Sequence, residues 1–452
     1  MIRRRAAGLV VCLLAVTAVG GPTISGFASV PELVEGPSAS TSLASTGLTT
    51  APASIGAASS VKTDYIRDDE YWLDQYGIRK AWATTQGKGI TIAVIDTGVD
   101  GTVPDLAGAV KSGTDFSGVG AKNGQKPVGA SSESAHGTMV ASLAAGRGTA
   151  VGAGMIGVAP QASIMAISIG FGAAAKNSDT QIADAVTWAV DHGANIINMS
   201  LTRNTLAWPE SWDTAFLYAM KHNVVIVAAA GNRGSGTTEV GAPATMPGVL
   251  TVAGVDRNEK ASVDASAQGI TIGVSAPSEQ LLGAVPGGGY VQWEGTSGST
   301  PIVSGVVALV MASHPGMNAA NVINRIVKTA SPAGATGVDP IYGYGLLNAV
   351  AAVTATVPTV TANPMGDLSA WIRLNRRAVP TAVPTTPPTS VSAPVKSVAS
   401  GVVQSPIGVL YPTAAQLRDV GLPLGVLALF AALLIVMVVL AVRRFRSIRR
   451  RD

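Results

Sequence analysis

Cysteine is almost missing from this 452-residue chain, with Cys12 the only one. Cys12 lies in an apolar run near the N-terminus, so the rest of the chain carries no thiol and no disulfide framework. Its neighbours Val10 and Val11 fit a lipoprotein cleavage site poorly. Histidine is scarce too, with four residues, which makes the search for a general base short. Charged residues are 13% of the chain, and no repeat of solenoid period is visible. The net charge of +4 sits at the two ends. The last ten residues contribute +5 and the first five +3, which leaves about −4 between them. The basic balance therefore speaks of membrane topology, and nucleic acid is not implied.

Hydrophobic residues make up 47% of the chain, enough for one large core with appendages. Met1-Ile2-Arg3-Arg4-Arg5, an apolar run to Val19 and small residues near Ala28 match a secretory signal over 1–29. Residues 30–62, rich in Ser, Ala, Thr and Gly, read as a flexible linker. Residues 63–352 alternate short Val/Ile/Ala strands with helical stretches, which predicts an α/β domain with a mostly parallel sheet covered on both faces. Residues 353–418, dominated by Pro, Thr and Val, read as an extended spacer. Residues 420–442 carry no charge and are long enough for a transmembrane helix. The arginines at 443, 444, 446, 449, 450 and 451 mark the tail 443–452 as cytoplasmic, which places the main domain outside the cell.

Four short motifs carry chemistry. Gly295-Thr296-Ser297-Gly298-Ser299-Thr300-Pro301 reads as a tight turn entering a buried helix. Proline is tolerated in the first helical turn, so the helix is expected to begin at or just after Ser297. A hydroxyl there faces unpaired N–H groups, where it serves as an N-cap or as a nucleophile with an oxyanion site. Asp96 ends a strand in Val94-Ile95-Asp96-Thr97-Gly98, as a turn former or as a catalytic carboxylate. An aspartic protease would need a second Asp-Thr-Gly, and the chain has none. His192, His222 and His314 fall at the ends of predicted helices, where the dipole favours them. His136 instead stands at a helix start, which suits a neutral imidazole acting as a base. Asn232 follows a buried strand in Ala228-Ala229-Ala230-Gly231-Asn232, as a turn residue or as an amide donor to an oxyanion.

In the order Asp96, His136, Asn232, Ser297 the chain resembles the subtilisin-like serine proteases, as it does at Gly157-Val158-Ala159-Pro160, Ile197-Asn198-Met199-Ser200-Leu201 and Tyr344-Gly345-Leu346-Leu347-Asn348. The resemblance covers about residues 70–352. It implies a three-layer fold and peptide-bond hydrolysis, with Ser297 as nucleophile, His136 as base and Asp96 holding the imidazole. Asn232 and the Ser297 N–H would form the oxyanion hole. Ser168, Ile169 and Gly170 would form the edge that pairs with extended peptide or protein substrate, and Ser200 and Leu201 the opposite wall. The chain departs from the family pattern at Gly298 and Ser299, where Met and Ala are usual, and at Thr202 and Arg203, where two glycines are usual. The loop at 146–150 lacks the family's calcium-binding oxygens, so no metal and no cofactor are assigned. The layout of signal, protease, proline-rich spacer and membrane helix resembles the mycosins, subtilases linked to type VII secretion, although mycosins usually carry disulfides. A secretion apparatus is thereby implied as a partner. The open alternative is a catalytically silent scaffold of the same fold.

Overall fold

The computed structural model describes residues 64–170 and 177–376. The expected signal, linker, membrane span and tail lie outside these residues. A seven-stranded sheet runs through the middle, in the order β2-β3-β1-β4-β5-β6-β7. Its strands are β1 (Thr91–Asp96), β2 (Val110–Asp115), β3 (Ser163–Ser168), β4 (Ile196–Met199), β5 (Val225–Ala229), β6 (Leu250–Val255) and β7 (Ile272–Pro277). All six pairings between neighbours are parallel. Parallel strands in the middle of a sheet bury both faces, and the period-two alternation of side chains divides a central strand such as β1 between two cores. Ile92 and Val94 point into one, Ala93 and Ile95 into the other.

The first core is built on the helices His136–Ala145 and Thr296–Ser313. The second is built on Ser178–Asp191 and Glu210–Lys221, with Trp212 and Phe216 fully buried. Among the described residues Thr296–Ser313 is the one helix long and apolar enough to cross a membrane. It is buried from Thr296 to Val310, as the central helix of the domain. An antiparallel hairpin of β8 (Leu281–Ala284) and β9 (Tyr290–Trp293) leads into it.

Two expectations shift. The central helix begins at Thr296, so Pro301 lies beyond the first turn. The missing Pro301 N–H would leave the carbonyl four residues earlier, that of Ser297, without its helical donor. The Ser200 hydroxyl donates to that carbonyl instead, at 2.8 Å. The expected spacer boundary at 353 also moves. Residues 355–376 are bound to the domain and carry a helix, Leu368–Asn375. Asn321 bonds both backbone groups of Val360. Arg376 donates to Asp213 at 2.8 Å and to the Trp208 carbonyl at 2.9 Å.

Candidate active site

Three elements deliver the chemistry-bearing side chains. Asp96 sits at the carboxyl end of β1, His136 opens one first-core helix, and Ser297 lies in the first turn of the other. All three are buried. The His136 ring nitrogen Nδ1 lies 2.9 and 3.0 Å from the two Asp96 carboxylate oxygens. A carboxylate only accepts, so Nδ1 carries the proton and Nε2 is left as the basic nitrogen. Thr97 locks this pair. Its N–H donates to Asp96 Oδ1 at 2.7 Å. Its hydroxyl oxygen accepts from the Gly137 N–H at 3.0 Å and lies 3.0 Å from the Ser134 carbonyl, to which it donates.

Asn232 follows β5 and meets the start of the central helix. Its Oδ1 accepts from both the N–H and the hydroxyl of Thr296, each at 2.8 Å. That assigns the amide oxygen to Thr296 and turns the NH2 into the donor end of the side chain. Gly295, at φ 133°, is required here, since a Cβ on it would lie 2.8 Å from Asn232 Nδ2.

A buried polar chain supports Ser297 from below. Ser304 Oγ donates to Asn198 Oδ1 at 2.9 Å, Asn198 Nδ2 donates to Ser200 Oγ at 3.0 Å, and Ser200 Oγ donates to the Ser297 carbonyl. Ser297 Oγ donates in turn to the Ser200 carbonyl at 3.1 Å. Every link has a donor and an acceptor, so the chain fixes the geometry without an unsatisfied group. Asn198 was read from sequence only as part of a family motif, and Ser304 was given no role; a polar residue inside an otherwise apolar strand, as Asn198 is, was the available signal.

Trp293, at the end of β9, was missed as well. Its ring stands edge-on to the His136 imidazole, with centroids 5.6 Å apart. It also explains Gly298. A Cβ on Gly298 would overlap Leu281 Cδ1 and come within 3.4 Å of the Trp293 ring. Leu281 and Trp293 fill the space beside the serine turn, so a larger residue after Ser297 would have to push the Leu281 side chain aside.

The three residues expected to form a substrate edge have part of their backbone engaged within the domain. The Ser168 carbonyl accepts from the Phe116 N–H, and the Ile169 N–H donates to Asp96 O, both at 2.8 Å. Both backbone groups of Gly170 are bonded to the Gln181 amide, at 2.8 and 3.1 Å. Ser168 and Ile169 are thus tied to the sheet and its connections, and Gly170 to a side chain. Ser200 lies beside Ser297, on the segment leaving β4, and Leu201 follows it in the chain.

The loop at 146–150, read as poor in metal ligands, runs on to 156, and this stretch is held by an arginine. Arg67 donates to the Ala153 carbonyl at 2.9 Å and lies 3.6 Å from Glu70. Asp105 accepts from the Met155 N–H at 2.6 Å and from Tyr290 OH at 3.0 Å. Among the described residues no group of three or more His, Cys, Asp or Glu is placed to hold a metal.

The model of the Subtilase family matches residues 87–345, more than half of the chain. The chain belongs to the subtilase family. It has the α/β fold of that family, with its mostly parallel central sheet. It is 34% identical over 322 residues to fervidolysin from Fervidobacterium pennivorans, a match that covers 64% of this chain and 44% of fervidolysin. The chain thus spans less than half of that relative. A thermophilic serine proteinase from Bacillus sp. (strain AK1) is 36% identical over 296 residues, covering 64% of this chain and 69% of the relative. Among solved structures, MycP1 from Mycobacterium smegmatis is similar, with a TM-score of 0.54 and 31% identity over 64% of this chain and 85% of that one. MycP1 is described as a serine protease and an essential component of the type VII (ESX-1) secretion system.

Proposed function

We infer that this subtilase is a serine endopeptidase held at the outer face of a cell membrane by residues 420–442. The observation that carries the reading is the Asp96–His136 pair, which fixes the imidazole tautomer with Nε2 as base. Three more features support it: a serine in the first turn of a buried helix, an asparagine whose amide oxygen is already taken by Thr296, and membership of the family.

The chemistry is acyl transfer. Ser297 Oγ bonds to a peptide carbonyl carbon as His136 Nε2 takes its proton. The negative oxygen of the tetrahedral intermediate is stabilised by the Asn232 NH2 and the backbone N–H of Ser297. The carbon–nitrogen bond then breaks, and His136 returns the proton to the leaving amine. Water repeats the sequence on the acyl-enzyme and releases the acid. Asp96 holds the imidazole throughout and stabilises its charged form.

Gly298 and the Thr202-Arg203 pair, where the chain departs from the family pattern, favour a second reading, a silent scaffold of the same fold. Likeness to MycP1 supports the same class of partner for either form, a type VII secretion system. An alkyl fluorophosphonate separates the two. In the enzyme, Ser297 Oγ bonds to phosphorus and fluoride leaves. Labelling of the full chain that disappears in Ser297→Ala supports the enzyme; folded protein that takes no label leaves the scaffold.

A further inference from the structure

The acyl-transfer reading fixes where substrate must lie. The attacked carbon sits at Ser297 Oγ, and its oxygen points to the Asn232 NH2. The side chain on the residue before the cut bond then falls between the segments that leave β4 and β5. These segments flank the serine turn: the Ser200 carbonyl accepts from Ser297 Oγ at 3.1 Å, and the Gly231 N–H donates to Thr296 Oγ1 at 3.1 Å. Gly231 lines one side of this slot. Gly241 lies behind it, joined to the Ala230 carbonyl at 3.3 Å.

Thr202 occupies the space between these two glycines. A Cβ on Gly231 would lie 3.1 Å from Thr202 Cγ2, and one on Gly241 would lie 2.6 Å from Thr202 Oγ1. The Thr237 side chain closes in on Gly231 from another side. Thr202 is only 2% exposed, so it is embedded in the slot wall. The segment cannot swing away easily. The Arg203 N–H donates to the Ala242 carbonyl at 2.7 Å. The Arg203 guanidinium pairs with Asp179 at 2.8 Å and lies 5.6 Å from the Trp212 ring centroid. Arg203 is itself buried and anchors Thr202 from the far side.

We propose that Thr202 closes the slot for the side chain preceding the cut bond, and limits substrates to peptides and proteins with glycine, alanine or serine there. A larger side chain would have to displace a β-branched residue that is pinned on both sides, and packed slots resist such insertion. This rests on the catalytic reading above.

The test uses the full chain in detergent with two peptidyl diphenyl phosphonates that differ only in an alanine or a phenylalanine side chain next to phosphorus. Attack by Ser297 Oγ expels phenoxide, and the rate of covalent modification is read without turnover. The alkyl fluorophosphonate is the control for a working nucleophile. The alanine probe is expected to react about 100-fold faster than the phenylalanine probe. Thr202→Gly should bring the two within about tenfold, mainly by speeding the phenylalanine probe. Thr202→Val keeps the volume and should keep the preference, and Thr202→Ser should loosen it part-way if the glycine variant does not fold. Equal rates in the unaltered chain, or an unchanged ratio in folded Thr202→Gly and Thr202→Ser, overturn the inference while fluorophosphonate labelling leaves the catalytic reading standing. No reaction with any probe removes both.

Discussion

The Ser200 hydroxyl donates at 2.8 Å to the Ser297 carbonyl, the acceptor that Pro301 leaves without a helical donor. A proline in the Ser297 helix and a serine after β4 are thus two halves of one arrangement. Ser200→Ala strands a buried carbonyl, at a cost of about 1–3 kcal/mol. The same substitution in a Pro301→Ala background should cost less, because the restored N–H can bond Ser297 O. Denaturant unfolding of the four proteins checks this. A coupling below about 0.5 kcal/mol would show that the two residues act independently.

Asn232→Ala should slow phosphonate labelling and peptide hydrolysis by about 10²–10³-fold, the range known for one such donor in subtilisin. Ser297→Ala should abolish labelling. A loss in Asn232→Ala confined to KM would mean that the amide holds ground-state substrate and does not meet a developing charge.

Gly298→Ala places a methyl group against Leu281 and Trp293. Overpacking of this kind costs about 1–3 kcal/mol, set against about 1 kcal/mol gained from helix propensity. Net destabilisation is expected, relieved in Leu281→Ala. If Gly298→Ala raises the melting midpoint in the otherwise unaltered chain, the wall beside the serine turn is softer than described.

Burial pushes the Glu70 carboxyl up to about 8 from an ordinary 4.5, outweighing the nearby Arg67 guanidinium. The folded protein therefore keeps a proton that the unfolded chain gives up at about 4.5. Unfolding releases that proton between the two values, so this residue's contribution to stability falls as pH rises from about 4.5 to 8. The melting midpoint of Glu70→Gln should decline less across that window. Equal slopes for both proteins would show that Glu70 is ionised when folded.

Much of the domain could be read from sequence because apolar strands and capped helices announce themselves. His192 and His222, expected at helix ends, each bond a carbonyl of the preceding turn. His314 closes the central helix. The edge strand β2, Val-Lys-Ser-Gly-Thr-Asp, went unread because it is half exposed and has no apolar run. At the site, the Asp96–His136 pair was legible as residue types in order. The Trp293 ring edge, the Ser304–Asn198–Ser200 chain and the true bonding of Gly170 were not, since each is a contact between segments far apart in the chain. Pro301 misled for the same reason: its compensating donor lies 97 residues away from Ser297.

Arg376 grips Asp213 and Trp208, on the helix of the second core and the loop before it. The Ser297 helix belongs to the first core, across the sheet. A pull applied at Arg376 therefore meets a guanidinium clamp on the face of the sheet opposite the Ser297 helix.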